Sequence, residues 1–355
     1  MGSGRSRELT TVGRARWIRS PAVDISVAFA WLPFVVAARL CAGSSDALFV
    51  LLNSTFLLSF LHQPLTLPLV YGDPGQIALH RRLYTWSPVV FAVAILFGLW
   101  VSLALVAVVA GLWNAEHTLM QRYGLTRIYG RKAGQDEGGL EKAMLVSWLV
   151  LAMVWVAADR ATPHRIEGLP LGRVNTNAID RLLSLQPWAT ALLAPVVIAV
   201  LALIAVWGRA ELARSRRGAS NPAKAVYVAS TAALFAVILV DPVSGFIGYV
   251  GAHSVEYFVI VHHALGSRFS DGSGGALGRV VRAPRGRARF LGGYIAAIVA
   301  VVVVERWWGN QDVYGFTVLF LGGLHVFYDG FVWRLRRPAI ARGLVTESPA
   351  VTLAD

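Results

Sequence analysis

The chain has 355 residues, of which 56% are hydrophobic and only 15% are charged, and its mean hydropathy is +0.57. Because a soluble domain carries roughly 25% charged residues, this composition excludes an ordinary soluble protein and indicates an integral membrane protein. The formal net charge of +13 would suggest nucleic-acid binding in a soluble chain. Here the arginines lie in short connections between apolar segments, where they orient a membrane protein and do not indicate a nucleic-acid partner.

Eight apolar segments are candidates to cross a bilayer, which takes about 20 helical residues. In chain order they are Ala22–Ala42, Ala47–Tyr71, Ala143–Ala158, Pro187–Trp207, Ala225–Val240, Pro242–Leu265, Phe290–Val304 and Val313–Trp333. The region Pro88–Tyr123 predicts either a hairpin that turns near Gly98 or one long helix that projects into water. The fold class is therefore an all-α polytopic transmembrane helix bundle of about 8–10 spans. It forms one domain, 21–337, between a basic tail, 1–20, and a C-terminal tail, 338–355.

The basic residues alternate from one connection to the next. By the positive-inside rule the arginine-rich connections face the cytoplasm, so both termini of this plasma-membrane protein are predicted to be cytoplasmic. Asp159–Gln186 is the long outer connection, with a short polar helix near Asn177–Leu183. The glycine-rich stretch Ser270–Gly278 predicts a flexible linker. The predicted cytoplasmic segments are the N-terminus, the loops around Arg81–Arg82, Arg122–Lys132, Arg209–Lys224 and Arg268–Arg289, and the tail after Arg334.

The histidines are not scattered over this topology. Of the eight, only His164 falls on the predicted outer side. The other seven fall in the cytoplasmic half or near the midplane: His62, His80, His117, His253, His262, His263 and His325.

Helical spacing places several of these histidines beside carboxylates. At about 100° per residue, Glu256 and His263 lie almost in line, His253 lies within about 80° of both, and His262 points away. His325 and Asp329 are four residues apart and share a face, with Gly322 and Gly323 allowing close approach of a neighbouring helix.

Two further segments contribute imidazoles. His117 shares a helical face with Asn114 and Gln121. His62 stands just before Pro64, where a helix is expected to kink or end, and His80 follows in the next loop.

A shared ligand would explain polar groups at one depth in a membrane. A charged group at mid-bilayer costs roughly 2.5–3.5 kcal/mol on insertion scales, so such residues face the bundle interior and have partners. Imidazole and carboxylate are natural ligands of divalent transition metals. Iron is the expected metal, in a site of one or two ions, with zinc, manganese and copper as alternatives. The predicted metal ligands are His62, His80, His117, His253, His263, His325, Glu256 and Asp329, the last two also having predicted catalytic roles.

The segments "EHTLMQ", "HSVEYFVIVHHALG" and "HVFYD" resemble the cytoplasmic histidine boxes of the integral-membrane di-iron family of fatty-acid desaturases, hydroxylases and alkane monooxygenases. The HxxxH and HxxHH boxes of that family are absent, so glutamate and aspartate would replace several imidazoles. The resemblance implies oxygen activation at iron beside an apolar substrate. It further implies a lipid or other hydrophobic small molecule as substrate and an electron-donor protein as partner.

Two other functions would use the same residues. A proton-coupled transporter also carries intramembrane histidines and acids, as a proton relay. A haem-binding electron-transfer protein would use a facing pair of histidines as axial ligands.

Overall fold

The protein is described by a computed structural model that covers residues 16–169, 171–269 and 274–333. It is 86% helical, and the described residues contain no strand, which confirms the all-α bundle. The predicted tails 1–20 and 338–355 lie outside the described residues, except for 16–20.

The helices are labelled in chain order. The first group comprises α1 Pro21–Ala28, α2 Trp31–Cys41, α3 Ser45–His62, α4 Thr66–Tyr71, α5 Pro74–Leu79, α6 Arg81–Val101, α7 Leu103–Lys132 and α8 Gly139–Ala158. The second comprises α9 Thr162–Ile166, α10 Gly172–Leu183, α11 Gln186–Arg216, α12 Pro222–Val240, α13 Pro242–Arg268, α14 Gly275–Arg282, α15 Gly286–Trp308 and α16 Gln311–Val332. A 3-10 turn, Gln63–Leu65, joins α3 to α4.

Polar residue and proline pairs define several helix starts. Ser20, Asp73, Asn221 and Asp241 each stand directly before a proline, and each side chain accepts a hydrogen bond from a backbone N–H of the first turn. Proline suits the first helical position because its missing N–H would have no intrahelical partner there. The local sequence therefore determines where these helices begin.

Eight of the described helical segments are long and apolar enough to cross a membrane, and a ninth is possible if the pair α1 and α2, bent by 42°, counts as one span. Helix α13 is not among them because it is more polar, yet its 27 residues would extend about 40 Å at 1.5 Å per residue. Its length is therefore sufficient for the span predicted over Pro242–Leu265.

The ambiguous region Pro88–Tyr123 is a hairpin of α6 and α7. The chain turns at Ser102, whose backbone is extended and whose hydroxyl caps α7. Phe91 stacks on Trp113 with ring centroids 6.0 Å apart, and Gly98 faces Val106, so the two helices run antiparallel. The turn lies four residues beyond the predicted Gly98.

The predicted cytoplasmic loop that begins at Arg122 is wrong in its boundary, because α7 continues to Lys132. Arg122 and Arg127 are both buried, at 1% and 6% exposure. Arg127 donates hydrogen bonds to the backbone carbonyls of Gln135, Asp136 and Glu137. From the sequence alone, buried arginines that have partners within the fold cannot be distinguished from the exposed arginines of a basic loop.

Two other connections can be compared with their predictions. The outer connection Asp159–Gln186 contains the polar helix α10, which begins earlier than predicted, at Gly172. The flexible linker predicted for Ser270–Gly278 is wrong over its second half, where α14 begins at Gly275. Residues 270–273 lie outside the described part of the chain.

Contacts between connections define two ends of the bundle. Asn221 donates hydrogen bonds to the carbonyls of Arg16 and Tyr129, and Arg268 pairs with Asp73, so these predicted cytoplasmic segments meet their neighbours as expected. We call the end of the bundle where these segments meet the basic end. At the opposite end Arg39 pairs with Asp241 at 3.1 Å, and Arg173 pairs with Asp312 at 3.3 Å.

Candidate metal centre

Four helical segments that run in the same direction surround the centre of the bundle. Helices α7 and α13 run parallel, since Tyr249 donates to the carbonyl of Ala115 and, about two turns further along both helices, Arg122 pairs with Glu256. Along the α3–α4 segment and α13, His62 lies beside His253, and Thr66 lies beside Tyr257. Helix α16 follows the same direction, because its His325 and Asp329 lie at these two levels.

Each of the four segments contributes one histidine to a closed ring of imidazoles. The ring centroids are 4.6 Å apart for His62 and His253, 5.1 Å for His253 and His117, 4.8 Å for His117 and His325, and 4.9 Å for His325 and His62. Neighbouring rings are nearly perpendicular, at 80° to 88°. All four side chains are buried, with exposures between 1% and 8%.

The ring dimensions match those of imidazoles around one ion. With a metal–nitrogen bond of about 2.0–2.1 Å, each ring centroid lies about 3.2 Å from the metal. Neighbouring centroids would then be about 4.5 Å apart at a right angle and about 5.2 Å apart at the tetrahedral angle. The observed distances of 4.6 to 5.1 Å fall within this interval.

One pair of nitrogen atoms agrees with the ring positions, and no single group of donor atoms within 4.8 Å among the described residues contains all four histidines. Two nitrogens bound to one metal would be about 2.9 Å apart at a right angle and about 3.4 Å apart at the tetrahedral angle. The Nε2 atoms of His117 and His325 are 3.1 Å apart. Two groups of donor atoms, each within 4.8 Å of one another, could hold an ion: His62, His253 and His325, and His117, His325 and Asp329.

Two of the histidines make no well-formed hydrogen bond through either ring nitrogen among the described residues. These atoms are Nδ1 and Nε2 of His62 and His253, and all four are buried. The carbonyls of Leu58 and Ser59, in the preceding turn of α3, are the backbone groups near the His62 ring. A buried donor or acceptor left without a partner costs about 1–3 kcal/mol. A bound metal would satisfy one nitrogen of each ring, and no apolar packing role explains an imidazole here in preference to leucine.

A hydrogen-bonded group lies one helical turn from the ring, toward the basic end. The hydroxyl of Thr66 lies 2.7 Å from Nδ1 of His325 and donates to Oδ1 of Asp329 at 3.1 Å. The hydroxyl of Tyr257 donates to the same carboxylate oxygen at 3.0 Å. A proton on Nδ1 of His325, donated to Thr66, leaves the Nε2 lone pair directed at the ring, which is how outer hydrogen bonds orient a metal ligand.

On the other side of α13, a buried ion pair stands beside the ring. Arg122 and Glu256 are 2.5 Å apart and are exposed by only 1% and 0%. Thr231 accepts a second hydrogen bond from Arg122 at 3.0 Å, and Gln121 donates to Glu256 at 3.1 Å. Gln121 also donates to the carbonyl of His253, so this glutamine connects the ion pair to the backbone that positions one of the ring histidines.

One polar residue follows every ring histidine at a spacing of four. These residues are Thr66 after His62, Gln121 after His117, Tyr257 after His253 and Asp329 after His325. Because the four segments run in the same direction, all four residues lie about 6 Å nearer the basic end than the histidines. The centre therefore has an imidazole layer and, beneath it, a polar layer.

The structure brings five of the eight predicted ligands together: His62, His117, His253, His325 and Asp329. The three others belong to neither group of donor atoms. Glu256 shares a helix with the ring but pairs with Arg122. His80 lies at the basic end, with its ring 6.1 Å from that of Tyr84.

His263 shows why a shared helical face is insufficient. It is ten residues beyond His253 on α13, which separates the two by about 15 Å along the axis. The predicted depth of His117 also changes, because it stands near the middle of α7 and not at the inner end of the segment Pro88–Tyr123. His253, predicted near the midplane, stands near the middle of α13.

Close helix packing around the centre was predicted from Gly322 and Gly323, and the contacts confirm it. A Cβ atom on Gly322 would be 3.0 Å from Oε1 of Gln63, and one on Gly323 would be 3.0 Å from the ring of Phe91. Gly322 thus faces the segment that carries His62, and Gly323 faces α6.

Three residues that complete the centre were not predicted: Thr66, Tyr257 and Arg122. The spacing of four from a histidine was a usable signal for Thr66 and Tyr257. Nothing in the sequence distinguished Arg122 from the topogenic arginines around it.

No known family model, curated protein or solved structure matches this chain. The class of protein is therefore defined by its own structure: a helical membrane protein with a buried cluster of histidine and aspartate that could hold a metal ion.

Proposed function

We propose that the protein is a membrane-embedded metalloenzyme whose ion is bound by His62, His117, His253 and His325. The observation that carries this proposal is the set of unpaired buried nitrogens on His62 and His253, facing the other two imidazoles. Asp329 supplies the negative charge next to the ion, since its Oδ2 is 3.9 Å from Nε2 of His117. The single ring favours one ion over the two allowed by the sequence.

Iron is the metal we propose, and oxidation of a hydrophobic substrate is the reaction class. Imidazole and carboxylate donors without cysteine suit non-haem iron, with manganese, zinc and copper as alternatives. Bound iron would supply the redox chemistry that couples O2 to the substrate. A hydroxylation would consume O2, two electrons and two protons, release one water, and require an electron-donor protein. An apolar substrate suits a centre within membrane-spanning helices, because such a molecule is dissolved in the surrounding lipid.

Proton-coupled transport is the second candidate. The direct contact of His117 with His325, and the contacts of His325 with Thr66 and onward to Asp329, could also pass a proton. A haem site fits less well. Two axial nitrogens at about 2.0 Å from iron are about 4 Å apart across a porphyrin, whereas these two are 3.1 Å apart.

Metal content separates these candidates. Protein purified without chelators should contain about one equivalent of a transition metal by mass spectrometry. His62→Leu and His253→Leu should each lose most of it while the protein remains folded, because leucine replaces unpaired nitrogens by apolar atoms of similar volume. The control is His164→Leu, whose side chain is 85% exposed near the opposite end and which should keep the metal. If folded wild-type protein contains no metal, the metalloenzyme proposal is refuted and proton-coupled transport is favoured.

We further propose that the basic end faces the cytoplasm of the plasma membrane, which places both termini inside. Thr176 in α10 is exposed in the outer connection. A Thr176→Cys variant, made in a Cys41→Ser background, should react with an impermeant maleimide on intact cells. Labelling only after the cells are opened would reverse the orientation.

A further inference from the structure

A cavity of about 350 Å³ opens at the basic end, away from the metal centre. It lies where α13 ends, α14 crosses and α15 begins. Its lining residues are His262, Leu265, Gly266, Val281, Arg282, Ala283, Arg285, Gly286, Arg287 and Ala288.

The cavity lining is strongly cationic. Among the described residues that line it, three are arginines and none is a carboxylate. Arg282 donates to the carbonyl of Phe269 at 3.2 Å, and Arg287 donates to the carbonyl of His262 at 3.3 Å. The Arg287 guanidinium therefore has one N–H directed to the backbone and retains further N–H groups for a ligand.

The backbone is shaped to hold these arginines. Gly266 has no side chain, and a Cβ there would lie 2.5 Å from Nη1 of Arg287, so glycine lets this guanidinium lie across α13. Arg285 precedes α15 in a left-handed conformation with φ of 55°. The first N–H groups of α15, a helix of 23 residues, add to the positive potential of the cavity.

The neighbouring helix α14 is amphipathic. Leu277 and Val281 of α14 are buried in the bundle, while Arg279 is exposed. On the topology proposed above, this end of the bundle lies at the membrane surface, level with lipid phosphates.

We propose that this cavity binds a phosphate-bearing anion, namely the headgroup of an anionic phospholipid. Basic pockets between membrane helices bind such headgroups, and guanidinium matches phosphate oxygens in two-pronged hydrogen bonds. The volume accommodates a phosphate with its glycerol substituent, and the acyl chains would extend along the exposed apolar surface of α15, which includes Val299 and Val303. Free phosphate has the same chemistry and is the other source to be tested.

The experiment compares two double variants of equal charge. Arg285→Gln/Arg287→Gln removes two charges from the cavity. Arg279→Gln/Arg289→Gln removes two exposed charges from the same end that do not line the cavity. Each protein is incubated with equal amounts of phosphatidylglycerol and phosphatidylcholine, and bound lipid is counted by native mass spectrometry.

Wild type and the Arg279→Gln/Arg289→Gln variant should retain phosphatidylglycerol selectively. The Arg285→Gln/Arg287→Gln variant should bind this lipid more weakly, by about tenfold for each arginine, which is the usual effect of losing a hydrogen bond to a charged group. Equal weakening in both double variants would overturn the proposal in favour of general surface charge. If inorganic phosphate alone stabilises wild type against heat as well as phosphatidylglycerol does, the ligand is free phosphate and the lipid assignment is wrong. Metal content, measured on the same samples, tests the metal centre independently.

Discussion

Replacing Glu256 by glutamine tests whether this residue is a metal ligand or the partner of Arg122. The substitution keeps the size of the side chain and removes its charge. Arg122 remains charged at 1% exposure, where Thr231 is a neutral partner. Removing one member of a buried ion pair typically costs about 3–5 kcal/mol, because the remaining charge is left uncompensated.

The expected result is a large loss of stability with little direct loss of metal. A cost of about 3–5 kcal/mol lowers the ratio of folded to unfolded protein by roughly two to three and a half orders of magnitude. Glu256 belongs to neither group of donor atoms, so protein that remains folded should keep its ion. Thermal unfolding in detergent, with metal analysis of the folded fraction, measures both quantities.

A double variant serves as the control. Arg122→Met/Glu256→Leu removes both charges and should recover much of the lost stability, as replacement of a buried pair by apolar residues often does. If Glu256→Gln releases the metal while its unfolding temperature matches wild type, the carboxylate is a ligand and the assignment of the pair is wrong.

Three other predictions concern the ring and the residues behind it. Thr66→Val should keep the metal, but the protein should bind it about 10–100-fold more weakly and the electronic spectrum of the metal should change, because His325 loses its orienting partner. Thr66→Ser should behave as wild type. A spectrum unchanged in both variants would show that Thr66 is not part of the site. His263→Ala should retain metal whereas His253→Ala should lose it, so equal losses on metal analysis would contradict the difference in depth. Acidification should release the ion, since protons compete for the imidazole lone pairs. Because a buried imidazole resists protonation, stepwise dialysis from neutral pH to pH about 3, with metal analysis of the protein that stays folded, checks this. Full retention by folded protein at the lowest pH would contradict imidazole as the main ligand.

Sequence alone determined the class of fold and much of the composition of the site. Apolar segments of sufficient length have few stable solutions in a bilayer other than helices, because every backbone polar group must be paired internally. The same cost makes histidine and aspartate within those segments informative, so His62, His117, His253, His325 and Asp329 could all be selected by residue type and position along the chain.

The partners of those residues were decided by tertiary structure. Periodicity specifies the direction of a side chain around its own helix, but it contains no information on the depth or rotation of the neighbouring helix. Glu256 was therefore assigned to the histidines, although α7 presents Arg122 at its level and the two form an ion pair.

The boundary of α7 has the same physical origin. Arg122 and Arg127 favour a cytoplasmic loop when both are assumed to be hydrated. The acceptors of Arg127 lie in the connection that directly follows α7, whereas the carboxylate that allows Arg122 to be buried comes from α13 and is provided only by the packed bundle. Burial of a charge depends on a partner that is distant in sequence, here separated by 134 residues from Arg122 to Glu256. Local sequence could identify the polar groups of this centre, whereas the assembled helices determined which of them meet.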